Sequence, residues 1–368
     1  MTADDLGFMA RALQLAERGL YTTDPNPRVG CVLAKDGAVV GEGWHVRAGE
    51  AHAEINALAQ AGVAARGATA YVTLEPCCHH GRTPPCSEAL INAGVTRVVA
   101  AMIDPNSRVA GQGLAQLQAA GIAVDHGVLA AQAEALNPGF VMRMRKGRPF
   151  VRAKLAMSLD GRTAMATGES KWITGEAARA DVQRLRARSG AIITGIGTVL
   201  ADDPSLTVRL EGEGAEHTRQ PLRVVLDPHL SLPPTARLLG LPGRTLVFTA
   251  VNDAAPREQL VRAGAEVVRI ACHDDALDLH AMLELLAREQ VNEALLETGA
   301  TLSGALLCAG LIDELVIYLA PHLMGDGARG LFHLPGLTEM KDRVALDITD
   351  IRAVGKDWRI TARCNVER

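Results

Sequence analysis

The sequence predicts an α/β protein of two domains, each built around a β-sheet. Its 368 residues exceed the size at which one hydrophobic core usually suffices. Short apolar runs suited to strands alternate with runs of helical spacing along most of the chain. The basic segment 143–149 interrupts that alternation. We therefore expect the domain boundary there, with one domain over residues 1–146 and another over 149–368.

The first domain is predicted to form a mixed sheet with helices on both faces. Apolar residues between Met9 and Ala16 recur at helical spacing, which predicts an opening helix that ends at Gly19. The elements expected after this helix are strands at 31–34 and 38–43, a helix at 53–61, a strand at 70–74, a helix at 87–93 and a strand at 95–102.

The second domain is also predicted to be an α/β sheet domain, because apolar runs again alternate with helical stretches. The polar segment 211–220 is predicted to be an exposed loop. The expected strands lie at 151–156, 191–194, 222–226, 245–249, 265–270, 294–297 and 314–319.

Two glycine-containing segments of the second domain, 194–198 and 297–304, follow predicted strands. Glycine between a strand and a helix lets backbone N–H groups approach a phosphate, which the helix dipole also favours. Neither segment matches the Gly-x-Gly-x-x-Gly dinucleotide fingerprint. From the pattern alone, each segment is either a phosphate site or a packing turn.

Composition excludes several classes of partner. Lys and Arg total 38 against 42 Asp and Glu, a net charge of −4 without a long basic run, so nucleic acid is not expected to bind. Cysteines outside the motif described next lack paired spacing, which indicates a reducing cytoplasm. We expect neither a signal peptide nor a membrane span, because no basic region precedes an apolar core near the N-terminus.

The residues that carry chemistry lie between positions 52 and 86. His52 and Glu54 are followed by Cys77 and Cys86, the residue types of a zinc-dependent deaminase. One imidazole and two thiolates suit Zn²⁺ and leave its fourth position open for water, whose pKa the metal lowers toward ~7. Glu54 is expected to carry a proton from that water to the leaving amine. A helix that begins near Cys86 would direct its N–H groups at the thiolates.

The spacing of the two cysteines departs from the generic deaminase pattern, in which two residues separate them. Here residues 78–85 intervene, and Cys78, His79 or His80 is an alternative ligand to either cysteine, although we favour the pair named above. Two other interpretations remain: a structural zinc site closed by a fourth protein ligand, and reduced cysteines without metal. Substitution of Glu54 by Gln distinguishes them, because loss of activity with zinc retained indicates catalysis.

Longer motifs occur in both halves of the chain. They are Asn-Pro-x-Val-Gly at 26–30, His-Ala-Glu at 52–54, Glu-Pro-Cys at 75–77, Gly-Arg-Thr-Pro-Pro-Cys at 81–86, Ser-Leu-Asp-Gly-Arg at 158–162, Trp-Ile-Thr at 172–174, Thr-Val-Leu-Ala-Asp-Asp-Pro at 198–204 and the glycine segment 299–304. In type and order they resemble the bifunctional deaminase–reductase family of riboflavin biosynthesis. The resemblance implies an α/β protein with an N-terminal cytidine deaminase-like mixed-sheet domain and a C-terminal dihydrofolate reductase-like domain.

The resemblance implies two consecutive reactions on a small phosphorylated pyrimidine. The first domain, with Zn²⁺, would deaminate 2,5-diamino-6-ribosylamino-4(3H)-pyrimidinone 5′-phosphate. The second, with NADPH, would reduce the ribosyl group and yield 5-amino-6-ribitylamino-uracil 5′-phosphate. It also suggests a homo-oligomer, a dimer or a tetramer. Two alternatives are a monofunctional zinc nucleotide deaminase with a non-catalytic second domain and a zinc-stabilised binding module.

The resemblance further implies roles for individual residues, including His52, Cys77 and Cys86 as zinc ligands and Glu54 as the proton carrier. The residues implied to contact the deaminase substrate are Asn26, His79 and Arg82. Those implied to line the NADPH site are Ala156, Trp172, Thr198, Asp202, Gly299, Ala300, Thr301, Leu302, Ser303, Gly304 and Ala305. Those implied to contact the reductase substrate are Lys154, Ser170, Arg186, Leu206, Arg209 and Glu297.

The chemistry of some of these side chains supports the implied roles. Arg186 and Arg209 suit a phosphate group, because guanidinium groups form charge-assisted hydrogen bonds with it. Asp202 is a candidate acid that protonates the ring oxygen as the sugar opens. An Asp before Pro also favours turns, so Asp202 is either catalytic or part of a helix end. Lys154 and Arg186 have the alternative of being ordinary solvated charges.

Overall fold

The computed structural model describes residues 2–79, 84–107, 109–210, 219–273 and 276–364. The chain divides into two compact units, Met1–Arg148 and Pro149–Arg368. The basic run that interrupts the sequence pattern begins in the last turn of a helix that ends at Lys146 and is followed by Gly147 in the left-handed conformation. Among the described residues, no helix combines the length and the apolar character needed to cross a membrane.

The first unit is a five-stranded mixed sheet with helices on both faces. In the order β2-β1-β3-β4-β5, strand β1 is antiparallel to β2 and β3, whereas β3, β4 and β5 run parallel. The elements are α1 (Ala3–Glu17), β1 (Gly30–Lys35), β2 (Ala38–Trp44), α2 (Ala53–Ala61), β3 (Thr69–Val72), α3 (Cys86–Ala93), β4 (Arg97–Ala100), α4 (Gln112–Ala119), β5 (Ala123–His126), α5 (Ala130–Leu136) and α6 (Pro138–Lys146).

Alternating side chains of the central strands supply two cores, one on each face of this sheet. Leu33 belongs to the core that includes residues of α2, α3 and α4, and Val32 belongs to the core that includes residues of α1, α5 and α6. Helix α2 packs tightly on β2, since a Cβ built at Gly43 would lie 2.4 Å from the carbonyl oxygen of Ala53. Glycine at this position therefore lets the start of α2 lie directly on the sheet.

The second unit contains a nine-stranded sheet with helices on both faces and two small sheets of two strands each, β12–β13 and β7–β16. Its elements are β6 (Phe150–Ser158), β7 (Arg162–Ala164), α7 (Glu176–Arg188), β8 (Ala191–Gly195), α8 (Ile196–Asp202), β9 (Leu222–Leu226), β10 (Thr245–Thr249), α9 (Ala254–Arg262), β11 (Ala265–Arg269), β12 (Cys272–His273), β13 (Ala276–Leu277), α10 (Leu279–Arg288), β14 (Glu293–Leu296), α11 (Ala300–Cys308), β15 (Glu314–Ala320), β16 (Arg329–Gly330), β17 (Leu346–Val354) and β18 (Asp357–Cys364).

The strand order of the large sheet is β11-β10-β9-β8-β14-β6-β15-β18-β17. All neighbours from β11 to β15 are parallel, whereas β18 and β17 are antiparallel additions at one edge. One core includes residues of helices α10 and α11 and of the central strands. On the other face, α7 and α9 contribute to separate clusters. The parallel strands end together at one edge, where ligands bind in open α/β sheets.

The structure changes several details of the predicted elements. Helix α1 ends at Glu17 rather than Gly19, and β4 is shorter than the predicted strand at 95–102. The hairpin β17–β18 was not predicted, because its apolar residues are separated by charged ones on an edge strand that is largely exposed. Within the predicted loop 211–220, residues 211–218 lie outside the described residues.

Candidate active sites

The candidate metal site of the first unit is assembled from two helix starts and one loop. His52 is the residue immediately before α2, Cys86 is the first residue of α3, and Cys77 lies in the loop after β3. The predicted helix start at Cys86 is confirmed, and its backbone N–H points to the Cys77 Sγ at 3.4 Å. The N-terminal N–H groups of α3 therefore lie beside a thiolate, as anion binding at helix starts requires.

The three donor atoms fit a single Zn²⁺. They all lie within 4.8 Å of one another, and His52 Nδ1 is 3.6 Å from Cys77 Sγ and 3.3 Å from Cys86 Sγ. Tetrahedral Zn²⁺ with bonds of ~2.1 Å to nitrogen and ~2.3 Å to sulfur places such ligands ~3.5 Å apart. Hydrogen bonds from Cys86 and His52 lower the pKa of the Cys77 thiol, which favours the thiolate.

The alternative ligands in the insert do not join this cluster among the described residues. The only group of three or more His, Cys, Asp or Glu donors found there is His52, Cys77 and Cys86. The Cys78 Sγ lies 4.0 Å from the Gln112 Oε1, and His79 is exposed. His80 and Arg82 lie outside the described residues.

Glu54 has the environment of a proton-transfer residue. It lies in the first turn of α2, two residues after the metal-ligand candidate His52, and is only 3% exposed. Burial, together with the nearby Cys77 charge, raises the pKa of its carboxyl group to about 7. A carboxyl group with a pKa near the working pH can both accept and release a proton.

His45 is a site residue that the sequence analysis missed. Its ring lies edge-on to that of His52, with the ring centroids 5.3 Å apart. Its Nδ1 is 3.0 Å from the Ala51 carbonyl oxygen and its Nε2 is 3.1 Å from Asn26 Nδ2. If Nδ1–H donates to the carbonyl, Nε2 accepts from Asn26 and orients that amide. The sequence signal was a His two residues after the predicted strand at 38–43.

Glu75 of the Glu-Pro-Cys motif has a structural role beside the metal loop. Its buried carboxylate accepts four backbone N–H groups, from Asp104, Gly111, Gly113 and Leu114, at 2.9–3.3 Å. This anchors the segment before α4 to the loop that carries Cys77. Burial raises the pKa of the nearby Asp104 carboxyl to about 6.

In the second unit, the implied substrate residues Lys154, Arg186 and Glu297 come together. Lys154 lies on β6, Arg186 on α7, and Glu297 directly after β14, which pairs with β6. Arg186 Nε and Nη2 bind the Glu297 carboxylate at 2.6 and 3.0 Å, and Nη1 donates to the Thr207 carbonyl oxygen. These bonds use three of the five N–H groups of a guanidinium, so two remain for a ligand.

The charges of this group are largely removed from solvent. Burial acts to raise the pKa of Glu297, but the charge and hydrogen bonds of Arg186 outweigh it and hold that pKa below its usual range. Burial lowers the pKa of the Lys154 ammonium group, opposed by Glu297. Arg186 is therefore not an ordinary solvated charge, because it is paired with Glu297. This pairing was not predicted from the sequence.

Asp202 is the last residue of α8, and the next residue, Asp203, adopts the left-handed conformation. Asp202 therefore stands at a helix end, the position that the alternative interpretation of its motif expects. The Asp202 side chain is 35% exposed and its Oδ1 lies 3.0 Å from Lys171 Nζ. The same helix carries Thr198.

Trp172 lies in the segment between β7 and α7, which also carries Ser170. Its ring is 72% exposed, and the Arg179 guanidinium carbon lies 4.8 Å from the ring centroid. A large exposed aromatic ring with a cation on one face leaves the other face free to stack on a planar ligand.

The glycine segment 297–304 divides into two parts with different surroundings. Gly299 immediately precedes α11, and a Cβ built there would meet nothing within 4 Å. Gly304 lies inside α11, and a Cβ there would lie 2.0 Å from the His333 carbonyl oxygen. The first part is therefore open at a helix start and suits a phosphate, whereas Gly304 serves packing.

The other predicted reductase residues occupy different positions. Ala156 is partly buried on β6. Leu206 is buried and has a positive φ of 47°. Arg209 is exposed, and its backbone N–H donates to the Gln183 side chain at 2.9 Å.

Comparison with known proteins agrees with this division of the chain. Residues 2–102 match the cytidine and deoxycytidylate deaminase zinc-binding region, and residues 149–360 match the RibD C-terminal domain. Riboflavin biosynthesis protein RibD of Escherichia coli (strain K12) is 54% identical over 359 residues, covering 95% of this chain and 96% of that protein. Acinetobacter baumannii RibD, form 1, is 47% identical with a TM-score of 0.92, covering 98% of this chain and 99% of that chain.

A more distant structure shares the same arrangement. A diaminohydroxyphosphoribosylaminopyrimidine deaminase/5-amino-6-(5-phosphoribosylamino)uracil reductase from Thermotoga maritima is 33% identical with a TM-score of 0.86. That match covers 98% of this chain and 99% of that chain. The similarity therefore extends over both units rather than one.

The fold and the two sites define a bifunctional enzyme, a zinc-dependent deaminase joined to a reductase that uses NADPH. The chain belongs to the RibD family of riboflavin biosynthesis proteins. The predicted fold class, a cytidine deaminase-like domain followed by a dihydrofolate reductase-like domain, is confirmed. The match over residues 149–360 favours two activities over a non-catalytic second domain.

Proposed function

We propose that the first domain converts 2,5-diamino-6-ribosylamino-4(3H)-pyrimidinone 5′-phosphate to the corresponding uracil with release of ammonia. The second domain then reduces the ribosyl group with NADPH to give 5-amino-6-ribitylamino-uracil 5′-phosphate. The observation that carries this proposal is the His52, Cys77 and Cys86 cluster with a buried Glu54, on one chain with the Arg186–Glu297 site. The printed name of the Thermotoga maritima relative supports the same pair of reactions.

In the deaminase, His52, Cys77 and Cys86 hold the metal. When bound, zinc makes a hydroxide nucleophile available near neutral pH. Glu54 takes the proton released by the attacking water and delivers it to the amino group, which leaves as ammonia. Its burial supports this role, because a carboxylate shielded from solvent and placed beside the site exchanges its proton with the reacting groups rather than with bulk water.

The deaminase substrate is held through its base and its phosphate. Asn26 hydrogen-bonds the pyrimidine, and its contact with His45 fixes the direction of the amide. His79 and Arg82 of the insert face the ribose phosphate. The exposure of His79 supports a contact outside the buried metal site.

In the reductase, bound NADPH would be the source of the hydride that reduces the C1′ carbon of the ribosyl group. The residues that line its site are Ala156, Trp172, Thr198, Asp202 and the segment from Gly299 to Ala305. The open start of α11 at Gly299 supports a phosphate contact of the cofactor. Gly304 contributes by letting α11 pack closely rather than by touching the phosphate.

The ribosyl phosphate substrate lies against Lys154, Ser170, Arg186, Leu206, Arg209 and Glu297. Arg186 orients Glu297 through two hydrogen bonds and keeps two N–H groups for the substrate. Asp202 supplies the proton to the ring oxygen as the sugar opens, directly or through water. If Asp202→Asn leaves the rate of hydride transfer unchanged, Asp202 does not have this role.

We also propose that the chain forms a homo-oligomer, a dimer or a tetramer, through the edge of the reductase sheet. Opposed residues of paired strands share one face, and on one face of β17–β18 lie Leu346, Ile348, Ile351 and Trp358. These side chains are 41, 58, 54 and 49% exposed. A contiguous exposed apolar patch of this kind is typical of an interface, and a second copy would cover it. The free cysteines support action in the cytoplasm. The net charge of −4 supports a function without a nucleic-acid partner, and we propose no membrane partner.

The proposed function is tested by a coupled assay with the diaminopyrimidinone ribosyl phosphate and NADPH, recording ammonia release and the loss of NADPH absorbance. Wild-type protein is expected to produce both signals. Glu54→Gln is expected to abolish ammonia release, retain zinc, and still reduce preformed deaminated substrate. The proposed reductase would be contradicted if wild-type protein released ammonia from the diaminopyrimidinone substrate and yet consumed no NADPH with the preformed deaminated substrate.

A further inference from the structure

The start of helix α7 is capped by a residue that is distant in the sequence. Gly175 precedes α7 and has no side chain to satisfy the helix N–H groups. Instead, the backbone N–H of Gly175 donates to Asp357 Oδ2 at 2.7 Å. Asp357 is 1% exposed and begins β18. Its carboxylate therefore accepts the N–H of the N-cap residue, as the N3 side chain of a capping box does in other helices, and places a negative charge at the start of α7.

The hairpin turn that carries Asp357 lies close to the first turn of α7. A Cβ built at Gly355 would lie 2.8 Å from the Cβ of Ala177, so only glycine allows this approach. Among the described residues, Asp357 Oδ1 has no hydrogen-bond partner. The hydrogen bond from the Gly175 N–H to Oδ2 is thus the contact, among the described residues, that compensates for burial of the Asp357 carboxylate.

Helix α7 in turn holds Trp172. Arg179, in the first turn of α7, donates from Nη1 to the Thr174 carbonyl oxygen at 2.7 Å and lies over the Trp172 ring. The ring is 72% exposed, and a cavity of about 460 Å³ lies between its segment and the hairpin turn. Fraying of the first turn of α7 would therefore release Arg179 and let the ring move into this space.

We propose that Asp357 is a positioning residue of the reductase, which fixes the start of α7 and, through Arg179, the orientation of Trp172 toward NADPH. The inference rests on the proposed function, in which Trp172 lines the NADPH site. Asp357 does not touch the cofactor. It keeps the ring in one orientation before NADPH arrives, which lowers the entropy lost on binding.

The test measures kcat and the KM for NADPH of the full-length protein with preformed deaminated substrate. Asp357→Ala is expected to raise the KM for NADPH about fivefold, the factor that corresponds to a lost helix-capping bond of about 1 kcal/mol, with kcat within about twofold of wild type. Asp357→Asn keeps an oxygen that accepts the Gly175 N–H and is expected to restore most of the affinity. Deaminase activity of the same chain shows that the protein was produced intact.

A matched control separates positioning from general stability. Asp278 caps α10 in the same domain, and its side chain accepts the Ala281 N–H at 3.0 Å. Asp278→Ala therefore removes a carboxylate cap without touching α7, and it is expected to lower the melting temperature while leaving the KM for NADPH unchanged. An equal rise in KM for both alanine variants would show that Asp357 acts only through stability, and would overturn the proposal.

The route through Trp172 is tested by a double-mutant cycle. Trp172→Ala alone is expected to raise the KM for NADPH, and adding Asp357→Ala is expected to change it less than twofold further. If Trp172→Ala raises the KM but Asp357→Ala does not, the positioning role fails and the proposed NADPH site stands. If Trp172→Ala leaves the KM unchanged, the proposed contact of Trp172 with NADPH fails, and the positioning role fails with it.

A second variant keeps the test decisive if Asp357→Ala does not fold. Arg179→Met removes the cation over the Trp172 ring but keeps most of the side-chain volume. It is expected to raise the KM for NADPH severalfold with little change in kcat. An unchanged KM would overturn the proposed link between α7 and the ring.

Discussion

Substitution by alanine is expected to have different effects at two glycines of one segment. At Gly304 it should lower stability, and at Gly299 it should weaken NADPH binding. A Cβ at Gly304 would lie 2.0 Å from the His333 carbonyl oxygen, whereas ordinary contacts begin near 3.4 Å. Helix α11 must therefore move by more than 1 Å, and overpacking typically costs about 1–3 kcal/mol, so we take the upper end, about 3 kcal/mol, for this contact. Replacing glycine by alanine inside a helix returns about 1 kcal/mol. The expected net loss for Gly304→Ala is about 2 kcal/mol.

Gly299→Ala provides the comparison. A Cβ at Gly299 meets nothing within 4 Å, and its φ of −75° suits any residue. The change in stability is therefore expected to stay below about 1 kcal/mol. The added methyl group would, however, stand at the open start of α11, where we propose that a phosphate of NADPH approaches the backbone N–H groups.

The two variants are measured by thermal unfolding and by the KM for NADPH. Gly304→Ala is expected to lower the melting temperature of the reductase domain by about 4–8 °C, the usual shift for 2 kcal/mol in a domain of this size. Gly299→Ala is expected to raise the KM about tenfold with a shift below about 3 °C. A wild-type melting temperature for Gly304→Ala would refute the packing argument. A wild-type KM for Gly299→Ala would refute the phosphate contact.

Three further results are expected. Measured by the zinc content of the purified protein, Cys86→Ser should lose zinc, whereas Cys78→Ser should retain one zinc per chain. Loss of zinc from both variants would indicate that Cys78, in the segment between the two cysteines, is also a ligand. The hydrogen bond from Arg97 holds the pKa of Asp5 below its ordinary value, so its carboxylate stabilises the fold above about pH 4 and loses that effect as pH falls. The difference in melting temperature between wild type and Asp5→Asn should therefore shrink between pH 6 and pH 3, and a constant difference would contradict this contribution. Ile348→Asp should reduce the mass measured by light scattering, and an unchanged oligomer would place the interface elsewhere.

The candidate metal site could be predicted from sequence because two of its three proposed ligands lie at or beside the start of a helix and the third, Cys77, follows a predicted strand in the same motif. His52 and Cys86 stand at helix starts that the sequence pattern predicts to within one residue. His45 was not predicted, because its role depends on a contact between the end of β2 and Asn26, which no short motif encodes.

The reductase site was less predictable for the same physical reason. Arg186 and Glu297 are separated by 111 residues in the sequence, and their pairing follows from α7 packing across the sheet beside β14. A residue type alone indicates that an arginine suits a phosphate, but it does not show that a buried carboxylate already binds two of its five N–H groups. The edge hairpin β17–β18 was missed because an exposed edge strand lacks the continuous apolar run of a central strand.

This contrast bears on how the two activities tolerate change. The proposed metal ligands are positioned by the starts of α2 and α3 and by the loop after β3. A substitution elsewhere changes their positions only if it disturbs the packing of these elements. In the reductase, the cap from Asp357 to Gly175 joins residues 182 positions apart, and the hairpin that provides it also carries the exposed apolar face. If a second copy covers that face, assembly would hold the hairpin against α7. Dissociation of the oligomer should then weaken NADPH binding while leaving deamination unchanged, and equal loss of both activities on dilution would contradict this coupling.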